Sequence, residues 1–169
     1  MDNINHYKED NMYSVHFCDK FKNKKYNKEI SIFYSFKKIN NTFERTIYLT
    51  LKNGSIIGEF SIEGNGLNHQ FDSGETNSMR ISIEDPYQGF GYTKIMIKLM
   101  IDKIYEDIPK MNGEQMLFID GDGSDGFWDK IGMQESKRYG YDRIPKYASR
   151  EGAGYEKFIT INNIYKFCR

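Results

Sequence analysis

Gln88-Gly89-Phe90-Gly91-Tyr92-Thr93 stands between a strand-like run, Ile81-Ser82-Ile83, and a helix-like run, Lys94 to Met100. A strand, a glycine-bearing turn and a helix in that order gather unpaired backbone N–H groups and the positive end of a helix dipole at one point. Such a point binds anions, phosphate above all. The turn is not a Walker loop, because no Gly-Lys-Ser/Thr follows, and it lacks the three-glycine spacing of a dinucleotide fingerprint. A second segment, Asp120-Gly121-Asp122-Gly123-Ser124-Asp125-Gly126, alternates acids as a calcium loop does. It fails as an EF-hand, with Asp125 in place of the sharp-turn glycine and Ile131 in place of the bidentate Glu. The favoured reading is a turn whose Asp or Ser caps the next helix. His6, His16 and His69 are isolated from one another, so no zinc spacing exists and no metal is expected. Cys18 and Cys168 read as two free thiols in a reducing compartment.

These residues need elements to position them. Glu29 to Lys37, Arg45 to Leu51 and Ile56 to Ile62 read as strands, the last two joined by a turn at Lys52-Asn53-Gly54-Ser55. Residues 63 to 77 read as a loop. Met79, Ile81 and Ile83 alternate with Arg80, Ser82 and Glu84, the pattern of a half-buried strand. The apolar spacing of Ile95, Met96, Leu99, Met100, Ile101 and Ile104 predicts a helix over 91–105, stopped before Pro109. Met116 to Ile119 is a short strand, and Gly126 to Ile131 a short helix closed by Gly132. Phe158 to Ile161 and Ile164 to Phe167 read as late strands, and Arg138 to Tyr155 as a long loop. Hairpins followed by a β-α-β crossover make a mixed-sheet α+β or α/β domain. Residues 1–28 form a polar N-terminal segment before a domain at 29–169. Its basic stretch, Lys20 to Lys28, reads either as a phosphate or nucleic-acid patch or, preferably, as a solvated, partly ordered leader.

The turn and the second segment together resemble the Gcn5-related N-acetyltransferase (GNAT) superfamily. That family carries a strand, the pattern Gln/Arg-x-x-Gly-x-Gly/Ala, and a helix; here Gln88, Gly91 and Thr93 stand at those positions. Further on it carries Asn-x-x-Ala-x-x-Phe-Tyr-x-Lys-x-Gly-Phe, whose end is matched by Phe127-Trp128-Asp129-Lys130-Ile131-Gly132-Met133. The resemblance covers residues 79–137. It implies a GNAT-like fold, with a central, mostly antiparallel sheet flanked by helices. It also implies an acetyl-CoA site in which backbone N–H groups from Gln88 to Thr93, including Gly89, Phe90 and Tyr92, hold the pyrophosphate. The strand ending at Ile81 and Ile83 would pair with the pantetheine arm, splaying from the strand at Met116 to Ile119 to admit the thioester.

The departures from the family pattern are equally specific. The family's Asn falls on Gly121 and its Ala on Ser124. Where the family often has a Tyr that protonates the departing thiolate, this chain has Trp128. An indole N–H donates a hydrogen bond but is no acid at neutral pH. Trp128 is left as packing against the cofactor or the core. Tyr139 and Tyr141 are substitutes, and solvent is another proton source. Glu84, just before the turn, is the candidate general base, with Asp85, Glu75 and Glu59 as competitors.

The function expected is transfer of acetyl from acetyl-CoA to a primary amine, on a small molecule, an amino sugar or a peptide. The alternative is a non-catalytic acyl-CoA-binding or protein-interaction domain on the same fold. The 169 residues balance 24 basic against 24 acidic side chains, which argues against a general nucleic-acid or membrane-surface partner. No apolar stretch approaches a signal peptide or a membrane span, so a cytoplasmic protein is expected. Its oligomeric state, a homodimer included, stays open.

Overall fold

In the computed structural model, the structure describes residues 2–39, 42–64, 77–111, 113, 116–119, 125–135 and 157–168. The elements in chain order are α1 (Ile4–Glu9), β1 (Tyr13–Asn23), β2 (Lys28–Ile39), β3 (Thr42–Leu51), β4 (Ile56–Gly64) and β5 (Asn77–Ile83). A 3₁₀ turn (Asp85–Tyr87) follows, then α2 (Tyr92–Asp107), β6 (Met116–Ile119), α3 (Asp125–Lys130), β7 (Gln134–Glu135), β8 (Lys157–Thr160) and α4 (Ile161–Phe167). The described strands form one sheet in the order β1-β2-β3-β4-β5-β6-β8-β7. Every pairing is antiparallel except that of β5 with β6, which α2 joins as a parallel crossover. This is the mixed α/β sheet with flanking helices expected from the two motifs.

The core lies between one sheet face and α2. Ile30, Ile32, Ile47, Leu49, Phe60, Ile62 and Met79 from the strands meet Met96, Ile97, Met100, Ile101 and Ile104 from the helix, all buried. At roughly 1.5–3 kcal/mol per buried aliphatic side chain, this packing fixes where α2 begins. The buried stripe also corrects the sequence pattern at one position: Ile95 is exposed, and Ile97 takes its place inside.

Two further expectations change. Ile164 to Phe167 is helical, not a strand. Thr160 accepts a hydrogen bond from the Asn163 N–H at 3.3 Å, and Ile161, Ile164 and Cys168 are buried at helical spacing. The stretch from 4 to 23 is not a solvated leader. Ile4 is buried against Tyr48 and Ile56, and β1 pairs with β2 from Tyr13 to Asn23 as the outer strand. The loop at 63–77, apart from its ends, and the segment Arg138 to Tyr155 lie outside the described residues. So do Glu75, Gly121, Ser124, Tyr139 and Tyr141.

Candidate functional site

β5 is paired along its whole length with β4, from Gly64↔Asn77 to Gly58↔Ile83. Among the described residues its other edge pairs with β6 at Ser78↔Phe118 alone. The Glu84 N–H donates to the Ile57 carbonyl at 2.9 Å. Alternation along an antiparallel strand then turns the N–H and C=O groups of Ile81 and Ile83 away from β4, toward the side where the described β5–β6 pairing has ended. A strand edge beyond its pairing is a place for an extended amide chain to add, although here the Ile83 carbonyl already accepts from Gln88 Nε2.

The chain leaves β5 through the 3₁₀ turn and reaches α2 over two glycines. Gly89 (φ +84°) and Gly91 (φ +78°) both lie in the left-handed region that glycine alone adopts readily. A Cβ at either position would meet nothing within 4 Å, so the space above both is open. Gly91 is the residue before the first turn of α2, and no side chain caps that turn. The N–H groups of Gly91, Tyr92 and Thr93 therefore have no intrahelical partner. None bonds to another described loop or turn. Gln88 is different. Its own N–H donates to the Asp85 carbonyl at 3.2 Å, and its Nε2 donates to the Ile83 carbonyl at 2.8 Å and to Asp85 Oδ1 at 3.1 Å. Gln88 thus ties the turn to the strand, and the free donors begin after it.

Between strand edge and turn lies a cleft of about 360 Å³, lined by Ile81, Ser82, Ile83, Tyr87, Gln88, Gly89, Gly91, Tyr92, Thr93 and Phe127. Seven of the residues expected from sequence meet there: Ile81, Ile83, Gln88, Gly89, Gly91, Tyr92 and Thr93. Phe90 stands outside the lining, exposed, with its ring stacked on Tyr92 at 5.6 Å. Trp128 is also outside it. It is 2% exposed in the core, its indole N–H is buried without a hydrogen-bond partner, and its neighbour Phe127 faces the cleft instead.

Glu84 is half-buried at the strand end, and its side chain caps nothing. Neither Glu84 nor its competitor Glu59 is among the lining residues of the cleft. Glu59 on β4 sits directly across from Ser82, a cleft residue, and their side chains share one sheet face. Burial raises the Glu59 pKa, opposed by the Arg80 charge and reinforced by Asp2 and Glu44. The signal for it lay in strand register, which a single sequence does not print.

The sequence also hid a buried tie between the first hairpin and the turn. Asn23, 2% exposed, donates from Nδ2 to the Tyr92 hydroxyl at 2.5 Å and accepts from the Tyr26 N–H at 2.9 Å. Phe21 packs edge-on against Tyr92 at 5.0 Å.

A mixed sheet that opens beside an uncapped, two-glycine helix start thus sets a strand edge and a run of backbone N–H groups around one cleft. No protein-family model matches the chain, and no curated protein matches it. Among solved structures it is similar to mutant forms of the spermidine/spermine N-acetyltransferase SpeG from Vibrio cholerae, with 14% identity, a TM-score of 0.42, and coverage of 77% of this chain and 70% of that one. It is similar also to the spermidine N-acetyltransferase from Vibrio cholerae in complex with CoA and spermine, with 15% identity, a TM-score of 0.40, and coverage of 74% and 69%. The likeness is one of fold alone.

Proposed function

We propose that the chain is an acetyl-CoA-dependent N-acetyltransferase acting on a primary amine. One observation carries the reading: the edge of β5 at Ile81 and Ile83, beyond its described pairing with β6, and the open glycine turn before α2 share a single cleft. A ligand with an amide-bearing arm and a diphosphate matches both walls at once. The N–H groups from Gly89 to Thr93 would hold the diphosphate, helped by the α2 dipole. Ile81 and the Ile83 N–H would pair with the amides of the arm, the Ile83 carbonyl being held by Gln88. The glycines leave the approach clear of side chains.

In the reaction the neutral amine nitrogen bonds to the thioester carbonyl carbon, the C–S bond breaks, sulfur leaves as thiolate, and the nitrogen sheds its second proton to solvent as the amide forms. The acceptor enters as ammonium and must give up a proton first. Glu84 is the carboxylate nearest the turn in sequence, and Glu59 is the one whose burial and register favour the task. A carboxylate with a raised pKa is the stronger base. Thiolate leaves unprotonated or takes a solvent proton, because Trp128 offers no acid and lies in the core.

Titration with acetyl-CoA, followed by thermal unfolding, tests the cofactor half. Stabilisation should grow with ligand concentration over Kd, and ATP at the same concentration should give far less. Release of free CoA with a panel of small amines, amino sugars and peptide amines tests the chemistry. Binding without turnover across that panel would favour the second reading, a non-catalytic acyl-CoA-binding domain, which the buried Trp128 motivates.

A further inference from the structure

The basic stretch Lys20 to Lys28 holds five lysines and no carboxylate in nine residues of a chain with zero net charge. The structure puts it at the tip of the β1–β2 hairpin, where β1 ends at Asn23 and β2 begins at Lys28. That tip is fastened to the cleft. Asn23 bonds the Tyr92 hydroxyl from a buried position, and the Tyr26 ring contacts Tyr87 at 5.6 Å and Phe90 at 6.3 Å. Tyr87 and Tyr92 are themselves walls of the cleft. Lys20 pairs with Glu29 at 3.8 Å, but no described carboxylate pairs with Lys22, Lys24, Lys25 or Lys28. Lys25 Nζ lies 5.2 Å from the centre of the Tyr26 ring, and Lys24, Lys25 and Lys28 are exposed. Phe90 and Tyr26, each more than a third exposed, flank the same rim.

Unpaired cations and exposed rings, held by buried contacts beside an anion-accepting turn, match a nucleotide that carries a phosphate of its own. Resting on the acyl-CoA reading of the cleft, we infer that the β1–β2 hairpin tip recognises the 3′-phosphorylated adenosine end of CoA. Lys24 and Lys25 bind the 3′-phosphate, and the Tyr26–Phe90 rim supports the base. The diphosphate on the α2 turn and the 3′-phosphate on the hairpin are then read by two separate elements, joined by the Asn23–Tyr92 bond.

The test compares CoA with dephospho-CoA, which lacks only the 3′-phosphate, by calorimetric titration of the intact protein. The unaltered chain should bind CoA about tenfold more tightly, the scale of one charge-assisted contact. In the Lys24→Ala, Lys25→Ala double variant CoA should weaken to the level of dephospho-CoA, while dephospho-CoA binding stays the same. Lys52→Ala, an exposed lysine on the β3–β4 turn, should alter neither. The ligand-free unfolding midpoint of each variant shows that it is folded. Equal binding of the two ligands by the unaltered chain would overturn the inference and leave the cleft reading standing, as would equal weakening of both in the double variant. No binding of either ligand overturns both readings. Salt-dependent capture of a single-stranded oligonucleotide without preference for CoA would reassign the tip to nucleic acid.

Discussion

Gly91 holds φ +78° at the start of α2, with open space where a side chain would stand. Gly91→Ala should therefore cost about 1–2 kcal/mol of stability from backbone strain alone. It should also weaken acetyl-CoA by about tenfold or more, because the methyl group enters the ligand's approach. Unfolding curves and ligand titration separate the two effects. Glu59→Gln should lower kcat/KM for the amine by about 10²–10⁴ while leaving acetyl-CoA binding intact. The same substitution carries an opposite sign for stability. The Glu59 pKa is raised in the fold, so the stability its carboxyl contributes is full below its ordinary value of 4.5 and is lost as the pH rises through the folded value. The Gln variant should therefore melt higher than the parent at pH 7, and the difference should close below the ordinary carboxylate range. Both thiols should be sluggish at pH 7. Burial raises Cys18, and it raises Cys168 to about 11, so a disulfide-exchange reagent should label neither quickly. Gly89 and Gly91 were legible as residues because a helix start after paired glycines has a local signature. Glu59 could be named only as a competitor, because its place opposite Ser82 comes from strand register.

Among the elements, β2 to β5, α2, β6 and α3 were legible from period and punctuation. Alternation marks the strands, Asn53-Gly54 marks the turn, and Gly132 at φ +90° marks the end of α3. α4 was misread because Ile164-Tyr165-Lys166-Phe167, taken alone, is rich in strand formers. Its helical face shows only when Ile161 and Cys168 are counted with it. Thr160→Ala removes the bond to the Asn163 N–H and should cost about 1 kcal/mol, with loss of helix signal confined to this end. β1 was missed for a different reason. Its residues are polar because it is an outer strand, and polar edges read as leaders. Asn23→Ala tests what that strand does. It leaves the Tyr92 hydroxyl without its partner, which should cost about 1–3 kcal/mol and reduce the preference for CoA over dephospho-CoA.

At the scale of the molecule, the sheet is continuous from β1 to β4 and on into β5, then meets its neighbour at one residue pair. The extensive half anchors α2, while the opening beside β5 is the proposed place of the ligand, so binding should stabilise the chain without large rearrangement of the strands. Acetyl-CoA at a hundred times its Kd should add about 2.7 kcal/mol, which for a chain of this size is on the order of 5–10 °C in Tm. The general class was visible in sequence because hairpins and a crossover follow from element order. The position of the opening beside Ile81 and Ile83 was expected from the family resemblance alone, since periodicity does not say where β6 stops beside β5.

Trp128 is the chain's single tryptophan, and it stands next to a cleft wall, buried, with its indole N–H unbonded among the described residues. All tryptophan emission therefore arises from one known place, and it should lie toward the blue. Ligand that pushes on Phe127, 5.0 Å away ring to ring, should change its intensity or wavelength. The protein thus carries its own optical reporter of cleft occupancy, readable in a cuvette without label or coupled enzyme.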